Sequence, residues 1–168
     1  METIVNKVAQ SGLVTFNLED YYSKNDRVVL DIKDCLFMGL ILKEKDFRDF
    51  LKTHDWAQYQ DKNVAITCSA DAIVPTWAYM LLASKLSGIA AFYSFGTLND
   101  LENSLTQNAL TKVDIETFRD KKVVIKGCSD LPVPVSAYVE ISRLLLPVVS
   151  SIMYGEPCST VPVYKRKG

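Results

Sequence analysis

The chain contains two copies of one pattern. Residues 67–79 read Thr-Cys-Ser-Ala-Asp-Ala-Ile-Val-Pro-Thr-Trp-Ala-Tyr, and residues 126–138 read Lys-Gly-Cys-Ser-Asp-Leu-Pro-Val-Pro-Val-Ser-Ala-Tyr. At an ungapped offset of 59, Asp71, Val74, Pro75, Ala78 and Tyr79 meet Asp130, Val133, Pro134, Ala137 and Tyr138. The apolar run Val64-Ala65-Ile66-Thr67 meets Val123-Val124-Ile125-Lys126. Each copy predicts a short buried strand, a loop, and a helix opened by proline, whose missing N–H costs nothing in the first turn. Two copies are too few for a solenoid. The pattern therefore predicts a pseudo-symmetric pair of strand-loop-helix units.

The surroundings agree with that reading. Apolar, β-branched runs at 26–32 and 36–42 predict strands. Phe47, Phe50 and Leu51 have helical spacing in 44–53. A strand is expected at 90–95, a helix at 98–110, a strand at 122–126, a helix from Pro134 to about Pro147, and a last strand at 160–164. Alternating strands and helices from residue 63 on predict an α/β fold with a mixed sheet, the N-terminal third adding antiparallel strands. The 168 residues are the length of one domain, 1–168.

Cys68 and Cys128 each fall just past a predicted strand and ahead of a helix. That is where open α/β sheets gather ligands, and where a helix dipole lowers a thiol pKa. A third echo, Cys158-Ser159-Thr160-Val161-Pro162, lies near the C-terminus. Convergence of Cys68, Cys128 and Cys158 would make a three-thiolate site for zinc, iron or an iron–sulfur cluster. Asp71, Asp130, His54 or water would complete it. The ungapped repeat does not pair the thiols, since Cys68 faces Gly127 and Cys128 faces Ser69. Plainer roles stand beside this one. The cysteines serve as small buried residues, the two aspartates as caps ahead of the helices, and His54 as a helix-end residue. Cys35 is expected to pack, and Tyr79 and Tyr138 to lie against the sheet.

A net charge of −1 argues against a nucleic-acid binder, which needs a basic face. No run of about 18 apolar residues predicts a membrane span. The opening residues do not resemble a signal peptide, so the expected location is cytoplasmic, where free thiols outnumber disulfides. Small α/β domains of this charge often form homodimers, but the sequence identifies no interface.

The segments 55–62, 67–79, 126–130 and Tyr-Gly-Glu-Pro-Cys-Ser-Thr-Val-Pro (154–162) resemble the DUF2480 family, uncharacterised proteins of Bacteroidetes. The resemblance covers essentially the whole chain. It carries no catalytic residues across. It implies a neighbourhood of iron–sulfur cluster assembly, and so iron–sulfur assembly proteins as partners. The leading expectation is a metal- or iron–sulfur-binding accessory or carrier protein. Two other classes stand beside it: a thiol enzyme of sulfur transfer or hydrolysis with one activated cysteine, and a non-catalytic interaction module with buried cysteines.

Overall fold

A computed structural model describes residues 12–127 and 130–168. They form seven strands and four α-helices, arranged as two compact units. One unit is continuous, Ser23–Leu105. The other joins Thr106–Gly168 to the segment ending at Tyr22.

In the continuous unit, β2 (Arg27–Asp31), β3 (Asn63–Thr67) and β4 (Phe92–Phe95) form an all-parallel sheet in that order. The central strand β3 is buried on both faces apart from its last residue, as its unbroken apolar run requires. Helices α1 (Glu44–Thr53) and α2 (Thr76–Leu86) lie on one face. Their Phe47, Leu51, Ala78, Leu82 and Leu86 enclose Leu30, Ile32, Val64 and Ile66. Alternation along a strand sends Ala65 to the other face. There it meets Leu101 and Leu105 of α3 (Leu98–Leu110), with Phe92 beside them.

In the second unit the sheet order is β1 (Leu13–Phe16), β5 (Lys122–Ile125), β6 (Ser151–Glu156) and β7 (Ser159–Lys165). The first three are parallel, and β7 runs antiparallel to β6 with a register shift at Ile152/Met153. Helix α4 (Val135–Leu145) sets Ala137, Ile141 and Leu145 against Phe16, Val123, Ile125 and Ile152. These are the offset-59 equivalents of Ala78, Leu82 and Leu86 in α2.

The duplication extends well beyond the visible sequence match. One-turn 3₁₀ helices sit at Trp56–Tyr59 and Ile115–Phe118. Asp61 (φ 58°) and Asp120 (φ 60°) both turn left-handed ahead of the central strand, which aspartate tolerates better than most residues. Their N–H groups donate to Ile89 and Val148 carbonyls at 3.0 and 2.8 Å. Gly96 (φ 126°) and Gly155 (φ 121°) occupy matching positions after β4 and within β6. Then the copies part. After Gly96 the chain turns into α3 and crosses back over the sheet face. Beyond Gly155, β6 ends at Glu156, and a turn leads into β7.

The α/β class, a mixed sheet and the related strand-loop-helix units all stand. The run 36–42 is not a strand but a tight hairpin, with only isolated bridges Phe37↔Ile41 and Ile41↔Ile73. The expected antiparallel strands of the N-terminal third are absent from the described residues, for β1 and β2 both pair in parallel. Strands β1 and β6 were not expected. No helix among the described residues is long and apolar enough to cross a membrane.

Candidate functional site

At the carboxyl end of each sheet a carboxylate braces the repeated loop. Asp31, last in β2, accepts from Ser69 N–H (3.1 Å), Ser69 Oγ (2.5 Å) and Lys33 N–H (3.0 Å). Burial opposes its ionisation, but the Ser69 and Lys33 bonds outweigh it and hold the carboxyl below its ordinary value. In the second unit Glu19 does the same work, accepting from the N–H groups of Asp130 and Leu131 (3.0 Å to the latter). Beside each loop stands an aromatic pair at offset-59 positions. Tyr79 meets Phe95 at 5.0 Å and 76°, and Tyr138 meets Tyr154 at 5.9 Å and 67°, both edge-on as ring quadrupoles favour.

Among the described residues the thiols build no metal centre. Cys68 follows β3 directly, half-buried, its Sγ 3.8 Å from the Ala70 carbonyl. Cys158 is exposed on the turn between β6 and β7 and belongs to the other unit. Cys128 lies outside the described residues. Among the described residues no group of three or more His, Cys, Asp or Glu side chains could hold a metal ion. That finding overturns the expectation of a metal- or iron–sulfur-binding carrier. The burial expected of Cys68 is corrected too, since it is partly exposed. Cys35, expected only to pack, lines the same core as Cys68. Burial pushes its thiol up to about 11, with Asp34, Cys68 and Asp31 adding to the rise. At neutral pH it is a protonated thiol and a poor nucleophile.

Asp71 is exposed, and so is Asp130. Neither caps a helix: Pro75 and Pro134 are the N-cap residues, and no side chain bonds there. His54 ends α1. Its Nε2 sits 2.8 Å from the Tyr59 hydroxyl, and its ring stands among Phe50, Trp56 and Tyr59. Burial lowers its pKa against a smaller opposing effect of Asp55. The unfolded imidazole therefore protonates before the folded one. Stability is unaffected above the unfolded value and falls as pH drops below it. Thermal melts between about pH 7 and pH 5 should show this loss in the wild type and a flatter profile in His54→Gln.

The most distinctive surface is one the spacing argument missed. Leu36 is buried, but Phe37 (45% exposed), Met38 (78%), Leu40 (60%) and Ile41 (51%) stand out from the surface, and Ile73 (87%) joins them through its bridge to Ile41. Phe37 N–H donates to the Ile41 carbonyl at 2.7 Å, closing a hairpin whose central residues, Met38 (φ 54°) and Gly39 (φ 69°), are both left-handed. Such a turn prefers Asn-Gly. Methionine there carries roughly 1 kcal/mol of backbone strain. Met38→Asn is expected to raise stability by roughly that amount in urea titrations. Lys43 places its Nζ 3.5 Å from the Phe37 ring centroid. The signal in the sequence was Gly39, which argues against an unbroken strand.

Two related α/β units, one with a parallel and one with a mixed sheet, each with a braced loop and an aromatic pair at its strand ends, define an internally duplicated α/β protein. The chain matches the family described as "Protein of unknown function (DUF2480)" over residues 2–166, and so belongs to the DUF2480 family. No curated protein and no solved structure matches it.

Proposed function

We propose that this protein is a protein-interaction module whose docking element is the apolar hairpin, and that the hairpin's partner is a second copy of the chain. The observation that carries the reading is the continuous exposed surface of Phe37, Met38, Leu40, Ile41 and Ile73. Contiguous exposed apolar patches mark contact surfaces, and a strained Met38 held at the tip is the kind of cost that functional sites retain. The rim favours self-association. Lys33, Lys43 and Lys45 alternate with Asp34, Glu44 and Asp46 along the same stretch. A two-fold contact sets one patch against itself, and a rim with both charges in equal number meets its own image without net repulsion.

Light scattering over a concentration series tests this. The wild type is expected to run at twice its 18.8 kDa chain mass, and Met38→Asp with Ile73→Asp at the monomer mass with an unchanged circular dichroism spectrum. A wild type that stays monomeric up to about 200 μM, well above the micromolar range of weak specific complexes, would overturn the dimer.

A further inference from the structure

Two thiols of the continuous unit hang from one bracket. Asp31 Oδ1 accepts the Lys33 N–H at 3.0 Å and the Ser69 N–H at 3.1 Å. One carboxylate oxygen thus gathers the turn that carries Cys35 and the loop that begins with Cys68. The strands beneath bring the same two segments together. Asp31 pairs with Thr67 in the parallel ladder, and the Ile32 N–H donates to the Thr67 carbonyl at 3.0 Å. Ile32 therefore stands level with Cys68, across a strand spacing of about 4.8 Å. The one-turn 3₁₀ helix Lys33–Cys35 then folds back, its Cys35 N–H donating to the Ile32 carbonyl at 2.9 Å. Side-chain direction agrees. Cys68 continues the alternation of Val64 and Ile66 toward the face covered by α1 and α2, and both Cys35 and Cys68 pack against the core on that face. Ionisation of Cys68 also raises the Cys35 pKa, as a neighbouring charge does.

We propose that Cys35 and Cys68 form a reversible disulfide that staples the apolar hairpin to the loop bearing Ile73. The oxidant is a hydroperoxide. The Cys68 sulfur attacks its O–O bond and becomes a sulfenic acid, and the Cys68 proton leaves in one water. The Cys35 sulfur then displaces the hydroxyl from Cys68. The S–S bond forms, and the Cys35 proton leaves in a second water. The thiol pair gives up two electrons and one peroxide takes them. A dithiol reverses the step by exchange. The position of the staple gives it a role. Cys35 directly precedes the hairpin that starts at Leu36, and Cys68 opens the loop that runs to Ile73. These two arms meet at the isolated bridge Ile41↔Ile73. A covalent tie at their roots holds the patch in one arrangement and so lowers the ordering cost of docking. That regulatory role rests on the hairpin being the docking surface, whereas the disulfide itself does not.

The test uses the full-length protein with Cys128→Ser and Cys158→Ser, so that only these two thiols remain. Dilute hydrogen peroxide is expected to link the tryptic peptides 34–43 and 63–85 within one chain, with loss of two hydrogens, and dithiothreitol to separate them. In Cys35→Ser on the same background, dimedone should instead trap Cys68 as a sulfenic acid. Amide exchange at Phe37 and Ile41 should slow about threefold or more on oxidation. The dimer dissociation constant should fall by about threefold or more. Linkage and exchange are read equally well on a monomer. A chain that fails to dimerise therefore defeats the docking reading and leaves the staple to be judged on its own. Absence of the link between 34–43 and 63–85, a link formed only between chains or only in urea, or unchanged exchange at Phe37 and Ile41 would overturn the staple. So would an unchanged dissociation constant in a protein that does dimerise.

Discussion

Leu82→Ala and Ile141→Ala are each expected to lower the unfolding free energy by about 2–5 kcal/mol. The two residues are offset-59 equivalents, both fully buried, each in the middle of a helix that closes its own sheet. Truncation removes apolar burial and leaves a cavity between helix and strand. The walls include Val64 and Ile66 in one unit, and Val123 and Ile125 in the other. Those walls belong to central strands hydrogen-bonded on both sides, which limits how far they can collapse inward. Urea titration measures the loss. The same helices supply an internal control. Met80 and Val139, also equivalents, are 68% and 66% exposed, and their alanine variants should change stability by no more than about 0.5 kcal/mol. A small effect at Leu82 or Ile141, or a large one at Met80 or Val139, would show that the helices do not pack as described.

Asp31→Ala should cost about 1–2 kcal/mol, the low end for charge-assisted hydrogen bonds because the site is half-exposed. Three donors lose their acceptor at once: both groups of Ser69 and the Lys33 N–H. The pH dependence has a definite sign. The folded carboxyl titrates below its ordinary 3.8, so the unfolded chain takes up the proton first. The stabilisation is complete above the unfolded value and is lost as pH falls through the folded one. Asp31→Asn should therefore be less stable than wild type at neutral pH and should show a shallower loss below about pH 4. Parallel profiles for the two proteins would mean that the brace contributes nothing through its charge.

The strand-loop-helix pairs were legible because each combines a buried apolar run with a proline-opened helix, and Val64–Thr67 and Val123–Lys126 state that pattern openly. The rest of the duplication was hidden because it lives in backbone geometry. Gly96 and Gly155 share a positive φ (126° and 121°), but nothing in their neighbours advertises it. The run 36–42 misled because an unbroken apolar stretch looks like a buried strand, and only Gly39 hinted that the chain reverses there. Strand β6 is short and follows the break at Pro147, so it carried little periodic signal. The metal-carrier reading failed for a different reason. A shared Cys-Ser dipeptide fixes local context and says nothing about whether loops meet. Cys158 proved to sit on a hairpin turn, outside any strand-end loop before a helix. The braces were invisible in principle. Asp31 and Glu19 play one role from unrelated positions, so no alignment of the copies pairs them.

The connectivity of the second sheet has a consequence during synthesis. Strand β1 finds its neighbour β5 only after the whole continuous unit has been made, and Phe16 pairs with Ile125. At about 5–20 residues per second, β1 waits roughly 5–20 s for that partner to be translated. The continuous unit has its strands in chain order and needs no such delay, so it is expected to fold first on the ribosome. Until β5 emerges, Leu13–Phe16 has no β5 to pair with, and an unpaired strand edge is a site for chaperones and for misfolding with neighbours on a polysome.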